Sequence, residues 1–378
     1  MIQKPLVAFD LGATKVACAI GLPREQVPGF ELLGSSLLNY PALSEAWFSD
    51  PLLVSRTMEQ ALEATGVAGE FHRALVSVNP PALRSERAHV AVALGDEPVP
   101  VRAQDLARLE DRALVQALGV DREPLLVERL ACAGNGFEGI QDPRGRAATR
   151  LTAAFHIVTI PIAARRVVVQ AVEAVGLEIA RLHYALPALL AAAADETLLH
   201  QRVLLADLAG VTMEAGLFVD GALHACETVP DGGLTLATAI ARRCQITLEQ
   251  ALAWTLEGTA CRRPEVRILI EAQRDALGRA LERLLRDQPK PDRFFVGGRG
   301  ALVDGVMEWL EQATGLSPSL CRSPHTASLE LSKQVGLAAA LGVLELATRA
   351  PRALPRRASG GLVDRLLDRT RTILTEYF

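Results

Sequence analysis

The sequence predicts an α/β protein whose body consists of two similar halves around a cleft, with a smaller α/β subdomain inserted into the first half. Three observations carry this. Two distant hairpins, Leu6 to Ile20 and VLLADLAGVTMEAGLF (Val203 to Phe218), share one order of parts. In each, a buried strand ends on an Asp (Asp10, Asp207), a glycine follows (Gly12, Gly210), and an apolar strand returns. A block of alternating strand and helix signals separates them. A later strand, Phe294 to Val296, closes on Gly297-Gly298-Arg299-Gly300 and opens a helix. Chance similarity of the two hairpins is the competing reading of the first observation.

The bulk numbers bound the class. The 378 residues suffice for two or three domains with a substantial core. Hydrophobic residues make up 49% and charged residues 22%, an ordinary globular balance. A net charge of −4 supplies no basic field, so nucleic acid is not an expected partner. Six cysteines (Cys18, Cys132, Cys226, Cys244, Cys261, Cys321) form no CxxC pair and read as reduced cytosolic thiols. No HExxH, GxSxG, P-loop or dinucleotide fingerprint is present. His156 lies inside an apolar strand and reads as a core residue. The start MIQKPLVAFD lacks a signal-peptide pattern, and no apolar run approaches the roughly 20 residues that span a bilayer, so a soluble cytoplasmic body is expected.

The elements follow from periodicity. Leu6 to Asp10 and Lys15 to Ile20 are strands around the turn Leu11 to Thr14. Ala74 to Val78 is a strand stopped by Asn79-Pro80-Pro81. Glu86 to Ala93 alternates, Gln104 to Leu118 has helical spacing, and Ala153 to Ile160 is again a strand. Helices are expected over Arg165 to Val175, the alanine-rich Ala185 to Ala194, Leu234 to Arg243, Leu248 to Leu256, Arg267 to Asp287, Val303 to Thr314 and Ser332 to Thr348.

The tail changes character. RAPRALPRRAS, Arg349 to Ser359, holds four arginines and two prolines and does not fold alone. Beyond it, Leu362, Val363, Leu366, Leu367, Ile373, Leu374, Tyr377 and Phe378 fall on one face of a helix. The two readings are a peripheral membrane anchor, supported by the basic linker, and a helix packed on the body.

The first hairpin holds what a phosphate loop needs: Gly12 for close approach, Asp10 for a Mg²⁺ held through water, and the cation of Lys15. The motif is short, and a plain hairpin is the alternative. The Gly297-Gly298 turn likewise reads as a nucleotide contact or a tight strand-to-helix connection.

The ordered set resembles the actin-like ATPases and, within them, the bacterial cell-division family FtsA. VAFDLGATKVACAIG resembles the first phosphate loop, and VLLADLAGVTMEAGLFVDGALHACETVPDGGLTLATAIARR the second with its Pro-x-Gly-Gly. FFVGGRGALVDGV resembles the adenosine motif, and HIVTIPIAARRVVVQAVEAVGLEIARLHYALPALLAA the return from the inserted subdomain. The resemblance implies subdomain 1A at 1–82 and 161–202, an inserted 1C at 83–160, 2A at 203–244 and 292–348, a shortened 2B at 245–291, a basic linker at 349–360 and a membrane-targeting helix at 361–378. It implies ATP and Mg as cofactors, held by Asp10, Gly12, Ala13, Thr14, Lys15, Asp207, Gly210, Thr212, Gly232, Gly233, Gly297 and Gly298, with Asp10 and Asp207 toward the metal. The implied partners are an FtsZ-like filament protein, other division proteins, anionic lipids and further copies of the chain in filaments. The implied place is the cytoplasmic face of the inner membrane.

The departures point to nucleotide binding that is weakened or lost, and at most a weak ATPase. The family's second loop is Asp-hydrophobic-Gly-Gly-Gly-Thr-Thr; here Asp207-Leu208-Ala209-Gly210-Val211-Thr212-Met213-Glu214 keeps one glycine of three. The family's later Asp falls on Ala239, its Ala-Glu-x-x-Lys on Ala251-Leu252-Ala253-Trp254-Thr255, and the third residue of the glycine turn is Arg299. A type IV pilus assembly scaffold and a sugar-kinase-branch enzyme are the alternatives within the same superfamily.

Overall fold

A computed structural model of the chain describes residues 4–25, 27–41, 50–193, 196–256 and 263–349. It divides into a body, residues 1–83 and 160–350, and a second compact unit that holds residues 84–159. The linker beyond Arg349 and the expected tail helix, with its membrane-facing residues from Leu362 to Phe378, lie outside the described residues.

The body opens with strands β1 (Leu6–Leu11), β2 (Lys15–Pro23) and β3 (Phe30–Asn39), an antiparallel meander. Helix α1 (Pro51–Ala64) follows, started by Asp50, whose side chain accepts from the N–H groups of Leu52 and Leu53. Strand β4 (Arg73–Val78) then joins β1 in parallel.

The second unit has its own order: β5 (Arg84–Ala93), β6 (Val99–Pro100), α2 (Ala103–Ala117), β7 (Arg122–Gly134), β8 (Phe137–Ile140), β9 (Ala147–Ala148) and β10 (Arg150–Pro161). Its sheet runs β5-β10-β7-β8, with β6 and β9 paired separately. Leu106, Leu109 and Leu114 of α2 pack on Val92, Phe155 and Ile157, which gives this unit a separate core. His156 is buried with its Nε2 2.6 Å from Ser85 Oγ, a partnered core histidine.

Back in the body come α3 (Ile162–Ala174), β11 (Glu178–Tyr184) and α4 (Ala185–Ala193). The second half then runs β12 (Arg202–Leu208), β13 (Met213–Val219), β14 (Ala222–Val229), α5 (Gly233–Cys244), α6 (Leu248–Leu256), α7 (Pro264–Leu285), β15 (Arg293–Gly297), α8 (Val306–Thr314), β16 (Pro318–Leu320) and α9 (Leu331–Thr348). The two body sheets have the orders β11-β4-β1-β2-β3 and β14-β13-β12-β15-β16. Each is an antiparallel meander whose first strand sits at the centre and takes two parallel strands on its other side. The halves are therefore duplicates in topology, with β1 and β12 as equivalent central strands.

Each half ends on a helix of small residues, and these two helices pack against each other. A Cβ on Gly342 of α9 would overlap the carbonyl oxygen of Ala188 in α4, so the backbones touch. The alanine run of α4 is thus a close-approach surface. Leu337, Leu341 and Leu344 of α9 cover Ala8, Ala17 and Ala19 of the first sheet. In the second half Leu277, Leu281 and Leu284 of α7, with Leu310 of α8, cover Leu204, Ala206 and Val296.

Several element bounds differ from the sequence expectation, α3 and α7 each starting three residues earlier than their spacing indicates. Helix α8 starts at Val306 rather than Val303, because Arg299–Leu302 first takes a 3-10 turn. Strand β7 reaches Gly134 through its edge pairing with β8, Cys132 opposite Ile140 and Gly134 opposite Phe137.

Candidate functional site

The duplication brings the ends of β1 and β12 to one cleft of about 400 Å³. Asp10 and Asp207 stand one residue before the ends of their strands there, both largely buried. Lys15, leading the return strand, hydrogen-bonds Asp10. Asn79, just past β4, donates from Nδ2 to Asp207 Oδ2 at 3.3 Å. Gly12, Ala13, Thr14, Lys15, Gly210, Thr212, Gly233 and Gly298 also line the cleft. Gly232 and Gly297 do not line it; they pack behind it. A Cβ on Gly232 would lie 2.5 Å from Gly210 carbonyl carbon, and one on Gly297 would lie 2.8 Å from Leu189 Cδ1.

The charges beneath the cleft are unusual. Asp207 has its pKa pushed up to about 6, by burial first and then by the Asp10 carboxylate, with Asn79 and Lys15 opposing. Directly opposite on β13, Glu214 accepts from Tyr184 Oη at 2.8 Å and Thr228 Oγ1 at 3.1 Å. Burial pushes its pKa up to about 8, so its carboxyl holds a proton at neutral pH.

Arg299 spans the cleft. Its guanidinium donates to Asn39 Oδ1 at 2.7 Å and to Thr14 Oγ1 at 2.5 Å, both in the first half. The sequence marked Arg299 only as a departure in the glycine turn. Asn39, Tyr40, Asn79 and Tyr184 it did not mark as site residues. Asn79 ahead of Pro80-Pro81, at the end of a buried strand, is the one local signal that could have pointed to the site.

The residues fit Mg-nucleotide poorly. A phosphate needs an open concavity with backbone N–H groups aimed into it. Here the two hairpin turns touch: a Cβ on Gly210 would stand 3.0 Å from Ala13 Cβ and 3.2 Å from Thr14 Cγ2. The N–H groups opening α5 are already committed, Gly233 to Ala209 O at 2.9 Å and Leu234 to Gly210 O at 2.7 Å. Apolar Leu189, Leu208, Val211, Leu234, Leu252 and Val335 supply much of the remaining wall. Lys15 on Asp10 and Asn79 on Asp207 already partner the two carboxylates.

The duplicated five-stranded sheets, the shared cleft and the two abutting terminal helices define the actin-like fold. A chain of the PilM–PilN type IV pilus biogenesis complex matches 92% of this chain and 100% of its own length, at TM-score 0.70 and 14% identity. The ethanolamine utilization protein EutJ from Carboxydothermus hydrogenoformans matches over 91% and 90%, at TM-score 0.53 and 14% identity. At such identities the likeness is one of fold.

The particular relation comes from the sequence of the second unit. Residues 81–159 match the family model described as the SHS2 domain inserted in FTSA. The cell division protein FtsA of Pseudomonas aeruginosa is 25% identical over 240 residues, 63% of this chain and 57% of that relative. The matched stretch thus spans little more than half of the curated relative. The chain is FtsA-like over these stretches, and its second hairpin departs from that family's pattern by keeping one glycine of three.

Proposed function

We propose that this chain serves in cell division as a peripheral membrane tether, linking an FtsZ-like filament or division complex to the inner membrane and assembling with its own copies. The observation that carries the reading is the FTSA-type insert at 81–159 within an actin-like body. The basic linker and amphipathic tail seen in the sequence supply a means of attachment: four arginines beside an apolar helical face suit an anionic bilayer. Among the described residues no helix is long and apolar enough to cross a membrane, so attachment through these residues would be peripheral.

The nucleotide site belongs to the same proposal as a degenerate one, with ATP and Mg bound weakly or not at all. The touching hairpin turns support this. They also weigh against a sugar-kinase role, because phosphoryl transfer depends on positioned charge around an open phosphate site. The pilus-scaffold reading has only the shared fold behind it.

Liposome flotation tests the tether. The full chain should float with vesicles containing anionic lipid, and a chain cut after Arg357 should stay in solution; equal flotation of the two removes the reading. An equilibrium titration tests the site, and micromolar Mg-ATP affinity would overturn its degeneracy.

A further inference from the structure

We infer that Arg299 is a built-in strap that holds the two halves of the body together across the cleft, in the place where a bound ligand would otherwise bridge them. The inference rests on the degenerate-site reading and extends it: the site has acquired an internal occupant.

The base of the strap is fixed. Gly298 has a φ of 76°, and a Cβ there would overlap the carbonyl oxygen of Leu208, while one on Gly300 would lie 2.8 Å from that same oxygen. The turn that carries Arg299 is therefore seated on the end of β12, and the side chain leaves it toward the first half. Both groups it reaches are neutral acceptors, the Thr14 hydroxyl in the β1–β2 turn and the Asn39 amide at the end of β3. Burial pulls the guanidinium's pKa below its ordinary value, with no acid contributing, yet an arginine stays charged throughout the physiological range. A cation placed over the phosphate-loop hydroxyl with no acid of its own supplies the charge-assisted hydrogen bonds that a ligand would otherwise make.

The strap has company deeper in the cleft. Asn79 of the first half holds Asp207 of the second, and Tyr184 of the first holds Glu214 of the second. All three ties join the same two halves and none needs a ligand. The body thus has its halves joined without one.

Hydrogen–deuterium exchange on the full chain tests the strap in wild type, Arg299→Ala, Arg299→Lys and Asn39→Ala. Loss of two charge-assisted bonds should speed amide exchange in the β1–β2 turn, residues 11–15, by roughly tenfold in Arg299→Ala, while residues 84–159 exchange as before. Lysine lacks the planar fork and should not restore protection. Asn39→Ala, at an exposed position that tolerates truncation, should raise exchange in the same turn by a smaller factor and keeps the test valid if Arg299→Ala does not fold. Unchanged exchange in the turn for both alanine variants overturns the strap, as does full protection in Arg299→Lys. Thermal melting of the wild type with and without Mg-ATP is read separately. A melting shift at micromolar Mg-ATP refutes the degenerate site, whatever the exchange result, so the two failures are distinguishable.

Discussion

Asp207 shows how the surroundings of a single side chain set its charge. Its pKa of about 6 lies above the usual carboxylate value, so between about pH 4 and pH 6 the folded chain holds more protons than the unfolded one. Stability from this group is therefore full below pH 4 and declines as pH rises through 6. Ionised Asp207 carries a penalty on the order of 2–3 kcal/mol. Asp207→Asn should remove that penalty, because an amide oxygen still accepts from Asn79. Melting curves should show the variant more stable than wild type at pH 7.5 and equal to it near pH 4. A gain of the same size at both pH values would mean that ionisation is not its cause. Glu214 should act in the same direction, with its window shifted toward pH 8. Both acids stand in the quoted second hairpin, but their burial does not show in the sequence. The groups that hold them, Asn79 and Tyr184, come from distant parts of the chain, as do those that hold Arg299.

At the scale of elements, local pattern and distant packing divide the fold between them. The two hairpins were legible because a strand that is apolar on both faces and ends on Asp then Gly has few other readings. Helices α5, α7 and α9 were legible from their spacing. Strand β3, helix α1 and strand β11 were not. FELLGSSLLN breaks its alternation at Gly34 and Ser35 and slips its register on β2 at Leu33, and EIARLHY carries a second register shift. The helix contact between α4 and α9 was readable only as alanine richness. Two glycine substitutions separate its two physical terms. Gly278→Ala on α7 meets only an ordinary contact, Trp309 Cζ2 at 3.8 Å, and should stabilise by up to about 1 kcal/mol through helix propensity. Gly342→Ala has the same propensity gain but drives a methyl into Ala188 and should destabilise by roughly 1–3 kcal/mol. Denaturant midpoints shifting in the same direction for both would show that the α4–α9 approach does not limit stability.

For the whole molecule the question is what each compact unit contributes. The unit of residues 84–159 has its own sheet, one helix and a closed apolar core, so it should fold when expressed alone. A single cooperative thermal transition with wide amide dispersion in solution NMR is the expected result; a collapsed chain without dispersion would show that it depends on the body. Within the body, the topology of the sheets was predictable from one repeated hairpin, whereas the state of the cleft was not. Loss of two glycines foretold a crowded loop. It could not foretell that the opposing turn would close against it, or that an arginine from a third turn would lie across both.

Contact between those turns has a consequence for time as well as for binding. Where filament subunits hydrolyse a nucleotide, each subunit carries a chemical age, and old and new ends of a polymer differ. On the degenerate-site reading proposed above, a subunit whose cleft is spanned by its own arginine would have no such clock. An assembly built from it would grow and shrink with the concentration of free chains and of the surfaces they bind, by mass action alone. Any direction or timing in its behaviour would have to be imposed by its partners.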